Sequence, residues 1–179
     1  MKKILIQLGW FGLCALAVAP AAPLGQAQSR KQPASLQAAF GEDAGMLSDK
    51  FAGLARVMAG KYDWKPGEGV RSVSDVFNLI VYENGLLAGV LSGAPNAGAR
   101  PAPIIDPEKM QEALKASYPN LQQTITGLSD NDLGTTVKLF GRDWTKRDAL
   151  MHVLLDQHEH LGQSIAYART NGVVPPWSK

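Results

Sequence analysis

The chain has 179 residues, with 18 lysines and arginines against 16 aspartates and glutamates, and a single cysteine, Cys14. One cysteine excludes internal disulfides and thiolate metal cages. The near balance of charge, without any run of lysine or arginine, argues against a nucleic-acid partner.

In chain order, the first segment reads as an address. Met1-Lys2-Lys3 is basic, Ile4–Ala19 is apolar apart from Gln7 and glycines, and Gly25-Gln26-Ala27 offers the small residues that signal peptidase reads. A signal peptide over 1–27, cleaved after Ala27, is expected; Ala17-Val18-Ala19 is disfavoured by Pro20. The competing reading is an uncleaved anchor, but about 16 apolar residues are short for a bilayer span. Phe11-Gly12-Leu13 before Cys14 do not form a lipoprotein box. The expectation is therefore a periplasmic or secreted protein with no stable membrane anchor after cleavage. Lys2 and Lys3 account for the whole cationic excess, so the mature chain is formally neutral. It also carries no thiol, which suits an oxidising compartment. Residues 28–35 are expected to be disordered and 36–177 to form one domain.

Within that domain the apolar spacing predicts four helices and no strands. The first runs from Leu36 to Met58 with Phe40, Leu47, Phe51 and Leu54 on one face. The second begins at a capping box, Ser72 with Asp75, carries Val76, Phe77, Ile80, Leu87 and Leu91, and ends near Gly93. The stretch from Ala94 to Pro103 is a loop by composition. Asp106-Pro107 opens the third helix, which runs to about Gly127 with a kink or break expected at Pro119. A further box, Ser129 with Asp132, predicts a short helical turn, and Thr135–Phe140 an extended crossover before Gly141. Thr145 with Asp148 starts the last helix, which stops at Gly172 before Pro175 and Pro176. Four amphipathic helices with one long connection and no sheet argue for an all-α four-helix bundle.

The last helix carries His152, Asp156 and His160 four residues apart, a spacing that keeps side chains on one helix face. Residues eight apart are separated by about 12 Å, so all three cannot reach one ion, whereas either adjacent pair can. His158 lies about 200° round the helix from His160 and is expected to face solvent. Gln163, Tyr167 and Arg169 follow the stripe and could orient a small acid or amide; Arg169 also suits simple pairing with the helix end. Trp64 and Arg71 could line a pocket mouth or pack over the start of the second helix. No glycine-rich loop follows a strand, and Ser72, Ser129 and Thr145 serve as caps, so neither nucleotide binding nor a serine-hydrolase arrangement is visible.

Tyr62, Trp64, Pro66 and Arg71 before the second helix resemble the corresponding segment of DinB-like proteins. Leu139-Phe140-Gly141 and the run from His160 through Gln163, Tyr167, Arg169 and Gly172 to Pro175-Pro176 resemble the last helix and tail of the same family. The likeness spans essentially Leu36–Trp177. It implies an up-down-down-up bundle related to thiol-dependent transferases and isomerases, often with a divalent metal held by three histidines. The chain departs from that pattern. The ligand position of the second helix falls on Leu79 and the first position of the last helix on Asp156; only His160 keeps its histidine.

In the implied topology the second and last helices run antiparallel, so Glu83, one turn after Leu79, lies beside the turn before His160. A shifted layer of Glu83, His152 and Asp156, with His160 as a surplus base, would suit a divalent zinc, nickel, manganese or iron ion. Two functions follow. One is an exported bundle that kept the scaffold and lost the site, acting as a binding or interaction module without catalytic residues. The other is a divalent-metal-dependent enzyme: a thiol-dependent transferase, isomerase or hydrolase. A small-molecule partner and a homodimer are compatible with both.

Overall fold

The computed structural model describes residues 35–94 and 100–178. The segment 1–27 expected to be a signal peptide and the residues after it up to 34 lie outside the described residues, as does the middle of the loop after the second helix. Ser35 is the N-cap of the first helix, its hydroxyl accepting from the Ala38 amide.

The elements are α1 (Leu36–Val57), a 3-10 turn at Ala59–Lys61, α2 (Val73–Ser92), α3 (Pro107–Thr126), the short α4 (Asp130–Leu133), strands β1 (Thr136–Leu139) and β2 (Arg142–Thr145), and α5 (Lys146–Thr170). Their starts are set locally. Ser72–Asp75 and Ser129–Asp132 form reciprocal capping boxes, Asp106 caps α3 ahead of Pro107, and Thr145 accepts from the Asp148 amide. Each satisfies amide groups that a helix start leaves without partners.

Long-range bonds give the direction of each helix. Gln37 donates to the Leu128 carbonyl and Gln122 to that of Gly41, so α3 descends as α1 rises. Asn78 pairs with Ile104 and Asn84 with Ser117, so α2 runs parallel to α3. Gln157 donates to Asn84 and Tyr167 to the Arg71 carbonyl, so α5 is antiparallel to α2. The result is an up-down-down-up bundle in which α1 packs on α3 and α5, and α2 on the same two. Leu47, Phe51, Leu54, Phe77, Ile80, Leu87, Leu114, Tyr118, Leu121 and Leu154 fill its centre.

α1 and α3 approach closely because of two glycines: a Cβ at Gly41 would lie 2.9 Å from a Thr126 methyl, and one at Gly45 2.9 Å from the Gln122 amide. Pro119 does not break α3, which continues to Thr126. Its ring is on the exposed side, where water can satisfy the carbonyl that a proline leaves without a donor.

The expectation of no strands is corrected by an antiparallel hairpin, Thr136 opposite Thr145 and Leu139 opposite Arg142. Its turn residues Phe140 and Gly141 both have positive φ, 50° and 75°. Such turns ordinarily place Asn, Asp or Gly first, and phenylalanine there hides the signature. Four-residue strands are also too short to show a clear alternation.

Candidate metal centre

Glu83 projects from the middle of α2, and Asp156 and His160 from successive turns of α5. One ligand atom from each lies within 4.8 Å of the others. Bonds of about 2.0–2.2 Å to a cation would hold such atoms roughly 3–4 Å apart, within reach of modest side-chain rotation. These three residues therefore form a group that could hold a metal ion.

Glu83 is 4% exposed, and its Oε2 has no hydrogen-bond partner among the described residues. Burial pushes its carboxyl up to about 8; a hydrogen bond and the negative charge of Asp156 push the same way, while Arg71 and a hydrogen bond from Gln157 oppose. A buried carboxylate oxygen without a donor is satisfied by a proton or by a cation. Two carboxyls and an imidazole provide for both.

His160 is oriented by a directed chain. The Arg71 carbonyl can only accept, so the Tyr167 hydroxyl donates to it at 3.2 Å. The Gln163 amide donates to the Tyr167 oxygen at 2.7 Å, and its carbonyl oxygen faces His160 Nδ1 at 2.9 Å. That oxygen accepts, so Nδ1 carries a ring proton, and in the neutral ring it is Nε2, 3.4 Å from Asp156 Oδ2, that holds the lone pair. This is the arrangement by which an outer partner fixes the tautomer of a metal-binding histidine. Trp64 packs edge-on against the Tyr167 ring at 5.1 Å, holding the chain in place.

The grouping differs from the layer expected from helix register. His152 lies outside it: its exposed ring stacks on Trp144 at 4.9 Å and an 18° interplanar angle, with Phe140 at 6.1 Å. The hairpin packs against that turn of α5, and Glu83 on α2 stands level with the later pair, Asp156 and His160. Leu79, one turn before Glu83, is half-buried in the wall of an adjoining cleft. Arg169 is exposed in the last turn of α5.

His158 corrects another expectation. Its side chain stays 37% exposed, but it does not simply face solvent: Nε2 lies 2.9 and 3.0 Å from the two carboxylate oxygens of Asp43 on α1. A second polar layer was not anticipated at all. The Tyr118 hydroxyl donates to Gln157 Oε1 at 3.1 Å, the Gln157 amide to Asn84 Oδ1 at 2.9 Å, and the Asn84 amide to the Ser117 hydroxyl at 2.9 Å. Its only trace in the sequence is a pair of amides, Asn84 and Gln157, at positions where the helix faces are otherwise apolar.

No family model matches the chain, and no curated protein sequence matches it. Among solved structures it is similar to a DinB-like protein from Bacillus subtilis, with 18% identity, a TM-score of 0.66, and coverage of 79% of this chain and 97% of that one. It is also similar to a DinB-like protein from Bacillus cereus, with 16% identity, a TM-score of 0.65, and coverage of 76% and 93%. At such identities the shared property is the path of the chain, and this protein has the DinB-like fold.

Proposed function

We propose that this protein binds one divalent cation between α2 and α5, through Glu83, Asp156 and His160. The observation that carries the reading is the buried Glu83 Oε2, which has no hydrogen-bond partner among the described residues and belongs to the same cluster as Asp156 and His160. Two oxygens and one imidazole nitrogen suit zinc, manganese or iron. Three protein ligands leave coordination positions open, and a cation so held lowers the pKa of bound water or of a bound thiol. Around it, Gln163 and Tyr167 hold the imidazole, and Leu79 lines the adjoining wall with an apolar side chain. Export to the periplasm or beyond, from the leader over 1–27, is part of the same proposal.

One observation favours a second reading, an exported bundle that works as an interaction module without a metal. Glu83 and Asp156 can share a proton, so the buried oxygen is satisfied without an ion. Elemental analysis of untagged protein, followed by calorimetric titration of the metal-free form with zinc and with manganese, separates the two. The cation reading expects one equivalent bound by wild type and at least tenfold weaker binding in Glu83→Gln and His160→Ala. Failure of wild type to take up either ion near neutral pH would leave the interaction module.

A further inference from the structure

Beside the cation group, on the same side of α2, lies a cleft of about 210 Å³ lined by Arg71, Asp75, Asn78, Leu79, Arg100 and the prolines 101 and 103. Its two walls are tied together by hydrogen bonds. The Asn78 amide donates to the Ile104 carbonyl at 2.9 Å, and its Oδ1 accepts from the Ile104 amide at 2.8 Å, pinning the strap that carries Arg100 against α2. The prolines restrict that strap further. The Arg100 guanidinium sits 4.7 Å from the centroid of the Tyr82 ring, a cation–π contact that holds it in place.

The charges do not cancel. Asp75 is the one acid in the lining, and its Oδ2 is engaged by the Ser72 amide at 3.0 Å. Neither Arg71 nor Arg100 makes an ion pair within 4.0 Å among the described residues. Asn78 spends its amide on the strap and on the Ser74 carbonyl, which leaves Arg71 and Arg100 as the cationic donors in the lining. Leu79, Pro101 and Pro103 supply apolar walls. A guanidinium matches a carboxylate with two parallel N–H···O bonds, and apolar walls favour an organic body over a bare inorganic ion.

We propose that this cleft is a binding site for a small organic carboxylate, its carboxylate held by Arg71 and Arg100 and its apolar body against Leu79 and the two prolines. The site goes beyond the cation reading and does not depend on it, although the two are neighbours. Arg71 lines the cleft, while its carbonyl terminates the chain that orients His160. Leu79, in the cleft wall, is one helical turn from Glu83.

The test titrates the full mature chain calorimetrically with hexanoate, with its neutral isostere hexanamide and with inorganic phosphate. Hexanoate is expected to bind about tenfold or more tightly than either of the others. Arg71→Gln and Arg100→Gln are each expected to lose about tenfold in hexanoate affinity. Both should retain wild-type helicity by circular dichroism, and Arg100→Gln, which touches no group of the cation cluster, should also keep wild-type zinc uptake. Glu83→Gln should lose zinc uptake and keep hexanoate. No hexanoate binding, or hexanamide equal to hexanoate in wild type, overturns the proposal without reference to any variant. Phosphate equal to hexanoate overturns the organic body. Absence of zinc uptake with normal hexanoate binding overturns the cation reading alone.

Discussion

Replacing Glu83 with glutamine should change how the metal-free protein responds to pH. The folded carboxyl is pushed from 4.5 to about 8 by burial and by Asp156, whereas in the unfolded chain it titrates near 4.5. Between those values the folded state holds a proton that the unfolded state has released. Its stabilising effect is complete below pH 4.5, declines as pH rises, and is gone above about 8. At about 1.4 kcal/mol per pKa unit the loss is roughly 5 kcal/mol at most. That is a large fraction of a domain's usual 5–15 kcal/mol. Glutamine keeps the shape of the protonated acid and cannot ionise, so the variant should lack this decline. The measurement is urea denaturation followed by circular dichroism in chelator between pH 4.5 and 8.5. Parallel stability curves for wild type and Glu83→Gln would refute the account of Glu83. Saturating zinc should restore the wild type most at the alkaline end, because the ion binds the deprotonated carboxylate.

Gln163→Leu should lower zinc affinity by about 10- to 100-fold, because His160 loses the acceptor that sets its tautomer; unchanged calorimetric affinity would remove Gln163 from the site. Gln157→Leu should destabilise the fold by about 2–4 kcal/mol, because it strands Tyr118 and Asn84 in the core. An unchanged urea midpoint would show that the layer contributes little. Phe140→Asn should stabilise the protein by about 0.5–1 kcal/mol, since asparagine tolerates a φ of 50° better and the ring is largely exposed. A lower melting temperature would mean that the contact between Phe140 and His152 outweighs the turn.

Much of the scaffold is written locally. Ser72–Asp75, Asp106-Pro107 and Ser129–Asp132 mark helix starts with side chains that bond amides two or three residues on, and apolar spacing marks the buried faces. Those signals need no knowledge of the rest of the fold, and they sufficed for a bundle and for the stripe His152, Asp156 and His160; Glu83 entered only through the helix order that the family resemblance implies, in a layer with His152 and Asp156. The hairpin escaped because its strands are short and its turn begins with phenylalanine.

The composition of the centre was decided only in three dimensions. Spacing on α5 allowed His152 with Asp156 or Asp156 with His160 equally, because each pair lies one turn apart. Trp144, brought back by the hairpin, stacks on His152, the Gln163–Tyr167–Arg71 chain orients His160, and the register of α2 on α5 sets Glu83 beside the later pair. His158 likewise turns to Asp43 because α1 packs beside α5 at that level. Helical periodicity states which side chains share a face. Which neighbour that face meets depends on the register between helices, set by packing among residues far apart in the chain.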